Sequence, residues 1–198
     1  MKKPGSRAAL LALALLLFIL PGCGGILIET RHIIDEIEAN PGKGSFIRDV
    51  PFYPQDEYMC GPASLASLVA YWGATGATDI DEAIIEVYQT RLKGTLPIDM
   101  LLFAKDKGME AAYYKGGLDD LREKIAQKTP LILFLNLGFE SYPVGHYIVA
   151  VGYSDISGMV IAHSGMDKER VYSYEALEKA WSKTGYSTLL IKSKGGRR

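Results

Sequence analysis

The order of the apolar patterns predicts an α+β domain in which N-terminal helices pack on an antiparallel sheet. Between positions 60 and 127 apolar residues recur at three- and four-residue spacing, the period of half-buried helices. After position 130 the pattern becomes short apolar or β-rich runs at 131–135, 146–153, 159–162 and Ser187–Lys192, separated by glycine-bearing or polar turns. Helices first and strands afterwards segregate into α+β layers, whereas strict alternation would build a parallel sheet.

Taken in order, residues 46–52 alternate in character and predict an opening strand that leads into Pro54-Gln55. A helix runs from Cys60 to about residue 72, with Leu65, Leu68, Val69 and Trp72 along one side and glycines at 73–76 to close it. A second helix covers 79–89, with Asp79 or Asp81 as its cap and Ile80, Ala83, Ile84 and Val87 at helical spacing. A turn at 93–97 precedes a helix at 98–107, which Gly108 ends; a strand at 109–114 and a helix at 118–127 follow. The continuous run 131–135 has the character of a central strand, and the loop 138–145 carries Pro143. Strands 146–153 and 159–162 pair across the turn 154–158. A strand at 170–172, a helix at Tyr174–Ser182 and the strand Ser187–Lys192 complete the domain, and 194–198 is a polar tail. No internal repeat or low-complexity segment interrupts the order.

With 48% hydrophobic and 23% charged residues the chain is globular in composition. Its 22 basic and 23 acidic residues form no basic stripe, which argues against nucleic acid as a partner. Residues 1–22 have a basic start (Lys2, Lys3, Arg7) and an apolar run at 8–20, the proportions of a secretory signal. The run ends in Leu20-Pro21-Gly22-Cys23, which resembles the bacterial lipobox, where cleavage precedes a lipid-modified cysteine. Cleavage there removes three basic residues and no acid, taking the formal net charge from −1 to −4. Acyl chains on Cys23 would anchor the protein to a membrane without a spanning helix. The expectation is a bacterial envelope protein; Gly24 after Cys23 does not resemble an inner-membrane retention signal, which favours the outer membrane facing the periplasm. Residues 23–45 read as a tether that lifts a domain at 46–193 off the membrane.

The chain has two cysteines, so lipid on Cys23 leaves Cys60 as a lone thiol in an oxidising compartment. Cys60 stands where a helix begins, and the positive end of a helix dipole favours thiolate, the nucleophile of cysteine catalysis. Such catalysis also needs a base, an orienter for the base and donors for an oxyanion. Of the three histidines, His32 falls in the tether, while His146 opens a strand from which it can be held rigidly. His163 ends the next strand and can orient His146, with Ser164 and Asp167 as competing candidates. Gln55, five positions before Cys60, can donate its amide to an oxyanion beside the Cys60 backbone N–H. No H-x-x-x-H or C-x-x-C spacing occurs, so neither a metal nor a cofactor is expected.

Gln55 through Leu68, which contains Cys60-Gly61-Pro62-Ala63, together with His146-Tyr147 and the strand ending Val151-Gly152-Tyr153, resembles the papain-like double-glycine leader (bacteriocin-processing) peptidase family. The resemblance implies a papain-like fold, Cys60 as nucleophile, His146 as base and Gln55 in the oxyanion hole. The family's aspartate after the next strand is replaced here by His163-Ser164-Gly165, an ending similar to that of a stand-alone envelope branch. The expected function is that of a lipid-anchored extracytoplasmic cysteine peptidase acting on a peptide or protein through a Cys60 acyl-enzyme. Two competing readings share the fold. One is a peptidoglycan amidohydrolase with a Cys-His-His set, which His163 would suit. The other is a catalytically silent peptide-binding lipoprotein.

Overall fold

Among the described residues the apolar runs of the C-terminal half assemble into a seven-stranded antiparallel sheet in the order Glu110–Lys115, Ser187–Lys192, Leu131–Asn136, Gly145–Ser154, Met159–Ser164, Asp167–Ser173, with Gly44–Phe46 also paired to Gly145–Ser154. The computed structural model describes residues 25–55, 58–73, 80–139 and 141–195, with backbone alone at 25–28. The expected signal segment 1–22, Cys23 and the candidate cap Asp79 lie outside the described residues. In chain order the elements are α1 (Gly25–Ala39), β1 (Gly44–Phe46), α2 (Cys60–Tyr71), α3 (Ile80–Val87), β2 (Tyr88–Gln89), β3 (Gly94–Thr95), α4 (Pro97–Asp106), β4 (Glu110–Lys115) and α5 (Leu118–Ala126). They continue with β5 (Leu131–Asn136), β6 (Gly145–Ser154), β7 (Met159–Ser164), β8 (Asp167–Ser173), α6 (Tyr174–Ser182) and β9 (Ser187–Lys192).

Local sequence accounts for the boundaries. Pro97 occupies the first turn of α4, where its missing N–H costs no helical bond. Ser173 caps α6 by accepting the Ala176 N–H at 3.2 Å. Leu131, Leu133, Ile148, Val149, Val160 and Ile161 form the middle of the core, and helix α2 packs Leu65, Leu68 and Val69 into it. Burying large aliphatic side chains contributes roughly 1.5–3 kcal/mol each, which is what holds these layers together.

Three expectations are corrected. Within the expected tether 23–45, the described residues form helix α1 and the start of β1, and both pack on the domain: Ile33 and Ile37 are buried, and Thr30 donates its hydroxyl to the Glu169 carbonyl at 2.8 Å. The cause is a four-residue apolar spacing that finds a groove against β8 and β6. The strand expected at 46–52 stops early. After Ile47 donates to Val151 O at 2.8 Å, Asp49 takes φ 64° and turns the chain away. Finally, the helix expected to reach residue 89 ends at Val87, because Tyr88 and Gln89 pair with Thr95 and Gly94 in a small hairpin.

Candidate active site

Helix α2 begins at Cys60, with Met59 in the cap position and no capping hydrogen bond from the Met59 side chain. Pro62 is tolerated because the N–H it lacks would have no acceptor within the helix at that position. The Cys60 thiol lies half-buried, and that burial pushes its pKa up. Backbone N–H groups of Tyr147, Gly61 and Cys60 itself pull the other way, as a helix start should, and burial outweighs them. The expected thiolate-favouring shift is therefore reversed. The sulfur faces the backbone of Tyr147, the neighbour of His146 on β6.

The hairpin β2–β3 closes on this helix start. A Cβ on Gly61 would lie 2.5 Å from the Thr95 Cβ, so only glycine fits after Cys60. The Tyr147 hydroxyl donates to the Thr95 carbonyl at 3.0 Å, and its ring stacks on Phe134 with centroids 4.5 Å apart. The Thr95 hydroxyl is buried with no hydrogen-bond partner among the described residues.

His146 is half-buried, and its pKa is lowered by that burial first and by the Arg170 guanidinium second. Its Nε2 lies 2.9 Å from Ser164 Oγ, and the Tyr172 hydroxyl donates to the same oxygen at 2.8 Å. Of the three candidates weighed for orienting His146, the structure brings Ser164 to it. His163 points elsewhere: its Nε2 donates to the Val50 carbonyl at 3.1 Å, and its Nδ1 accepts the Glu169 N–H at 3.2 Å. Asp167 pairs with Arg170 at 3.2 Å.

The register explains why His163 and Ser164 exchange places. From the turn inward, Ser154 pairs with Met159, Tyr153 with Val160 and Gly152 with Ile161; continuing that count would set His163 opposite Ala150, on the face of His146. A bulge between Ala150 and Gly152 inserts one residue and sets His163 opposite Val149. A slip of one residue moves every later side chain to the other face. Tyr172 on β8 was not foreseen from the sequence, and its signal is equally positional, since it lies across from β7 on an edge strand.

Gln55 sits on the stretch 50–55, which three hydrogen bonds tie down. Val50 O accepts from His163, Pro51 O accepts the Ser67 hydroxyl at 2.6 Å, and the Gln55 N–H reaches Gly165 O at 3.3 Å. Gly165, at φ 59°, makes the turn that presents this carbonyl. The Gln55 side-chain oxygen is buried without a partner among the described residues. A half-turn of the carboxamide places its NH₂ in the same position, as an unspent donor. His32, on α1, is remote in sequence and is exposed.

A family model for the Peptidase_C39 like family matches residues 47–189, most of the chain, including Gln55, Cys60, His146 and Ser164. The chain belongs to this family. By family it is a cysteine peptidase with a papain-like fold. Solved structures of C39-like domains share the architecture. A C39-like peptidase from Bacillus anthracis superposes with a TM-score of 0.60 at 17% identity, covering 77% of this chain and 98% of that one. The peptidase domain of Streptococcus ComA, a bifunctional transporter, gives 0.58 at 22%, covering 74% and 100%. A double-glycine-motif protease from an AMS/PCAT transporter, solved with its leader peptide, gives 0.57 at 21%, covering 76% and 99%. At these identities the likeness carries the fold alone. No curated protein matches the chain.

Proposed function

We propose that this C39-like chain is a lipid-anchored envelope peptidase that cleaves peptide bonds through a Cys60 acyl-enzyme, with His146 as base and Ser164 as its orienter. The observation that carries the reading is the His146 Nε2–Ser164 Oγ contact at 2.9 Å, on the strand whose next residue meets the Cys60 sulfur. Ser164 takes one hydrogen bond from Tyr172 and retains a second lone pair for the Nε2–H of His146. In that tautomer Nδ1 is the free base. As the sulfur attacks a carbonyl carbon, the thiol proton passes to Nδ1, and the imidazolium later gives it to the leaving amine. Water then attacks the thioester, His146 takes its proton, and Cys60 is released. The Gln55 amide and the Cys60 N–H hold the oxyanion of both tetrahedral intermediates.

The resting pair is thiol and neutral imidazole, because burial disfavours both charges. Proton transfer thus accompanies attack. A polypeptide substrate agrees with the leader peptide bound by the transporter-derived relative. The amidohydrolase reading rested on a Cys-His-His set, and it loses that support because both His163 ring nitrogens are engaged elsewhere. A silent binding protein is argued against by the hydroxyl within reach of His146. Anchoring rests on the Leu20-Pro21-Gly22-Cys23 sequence.

The test is cleavage of a mixed peptide library, read by mass spectrometry, with the wild type beside Cys60→Ala and His146→Ala. Loss of every cleavage in Cys60→Ala, and a drop of roughly 10²–10⁴ in rate for His146→Ala, is expected. Cleavage that survives Cys60→Ala refutes the assignment.

A further inference from the structure

Helix α1 determines where the N-terminal segment leaves the domain. Its Thr30 hydroxyl is bonded to Glu169 O, close to the β7–β8 turn, while its Glu36 carboxylate accepts the Ser154 hydroxyl at 2.5 Å, where β6 turns into β7. The helix therefore runs along the sheet, away from the end that carries Gly165, Ser164 and His146. From Thr30 back to Gly25 it extends about 7.5 Å past Glu169, at 1.5 Å per residue. The chain before Gly25 thus departs at the active-site end.

That same end exposes large apolar side chains. Leu137, Phe139, Tyr142 and Val144, in the β5–β6 loop just before His146, are 51%, 80%, 74% and 45% exposed, and Met166 in the β7–β8 turn is 65% exposed. Large exposed apolar clusters mark contact surfaces, and aromatic side chains favour the membrane–water interface. The segment ahead of Gly25 identifies the occupant: it holds the apolar run at 8–20 and then Cys23. Acyl chains on Cys23 would bring a bilayer within two residues of Gly25, at most about 7 Å of extended chain, and retention of the run within five residues, at most about 18 Å. Without the tether expected from the sequence, nothing lifts the domain clear.

We propose that the active-site end of the sheet faces the bilayer, with Leu137, Phe139, Tyr142, Val144 and Met166 meeting the lipid interface. This rests on the membrane-anchor reading above and is independent of catalysis. The test uses the full chain, purified from membranes with its native processing and reconstituted in phosphatidylcholine vesicles bearing brominated acyl chains. Phe139→Trp reports the active-site end and Ile156→Trp, in the β6–β7 turn, the opposite end, each read above the wild-type tryptophan signal. Tyr142→Trp serves as a second reporter should Phe139→Trp not fold.

Flotation with the vesicles and quenching at position 139 several-fold stronger than at 156 are expected. Flotation with equal, reversed or absent quenching overturns the orientation and leaves the anchor standing; a second copy or a peptide covering the patch would give this result. A chain that does not float overturns the anchor and the orientation together. Neither outcome touches the peptidase assignment, which is read by cleavage.

Discussion

At Cys60 and His146, burial acts on both partners in the same sense, towards neutrality. The Cys60 thiol is pushed up by desolvation and the His146 imidazole down by desolvation, then by Arg170. Alkylation of Cys60 by iodoacetamide should therefore be slow at neutral pH and rise on the alkaline side, following the thiolate fraction; rapid alkylation near pH 5 would indicate a preformed ion pair. Ser164 is a neutral partner, so Ser164→Ala should cost about one hydrogen bond's worth of orientation, roughly 10-fold in kcat/KM, in contrast to the larger loss at His146. His163 has a different measurable signature. Its pKa falls to about 4, through burial foremost. Between that value and the ordinary 6.5 or so, the unfolded chain binds a proton that the folded chain refuses, so stability is lost as pH falls through this window. The loss amounts to about 3 kcal/mol by pH 4, and denaturation at pH 7 and pH 4 should show it in the wild type and not in His163→Gln. Cys60 and His146 could be proposed as nucleophile and base because residue type and helix or strand position suffice to single them out. The contact of His146 with Ser164 could not be singled out in this way, since it depends on one extra residue in β6 that no local pattern announces.

Among the elements, β6 organises the site: it carries His146, presents the Tyr147 N–H to the sulfur, and pairs with β1, β5 and β7. Most elements followed from periodicity, and α6 and β9 were predicted at their observed bounds, because Ser173 caps the one and an unbroken apolar run marks the other. Helix α1 was read only as part of a tether, for its docking depends on a groove made by strands more than 100 residues away. Its Thr30 reaches the Glu169 carbonyl within the irregular stretch of β8, where Glu169 has φ 60° and its N–H turns to His163. Ile33→Ala should accordingly destabilise the domain by about 2–4 kcal/mol in urea denaturation. A solvated tether would show less than about 0.5 kcal/mol.

For the whole molecule, the family match and the shared architecture establish a C39-like peptidase domain, and the two ends of its sheet differ in character. One end holds the Cys60 thiol, the His146 imidazole, the exposed aromatic loop and the N-terminus of α1; the other holds the polar turn in which Asp155 receives Arg122 at 2.6 Å and Tyr174 at 2.8 Å. Fold class was readable from the order of the patterns, and Cys60, His146 and Gln55 could be singled out as candidates by type and position, whereas the end of the sheet towards which α1 points its N-terminus required the direction of that helix. In the proposed reaction the sulfur of Cys60 becomes acylated. The most direct test is intact-mass analysis of the acid-quenched protein during turnover of an activated peptide ester chosen from the peptides the wild type cleaves. A transient mass increase equal to the peptide acyl group, mapping to Cys60 and abolished in Cys60→Ala, is the predicted result. Turnover with no adduct at Cys60, or with an adduct on another residue, would contradict it.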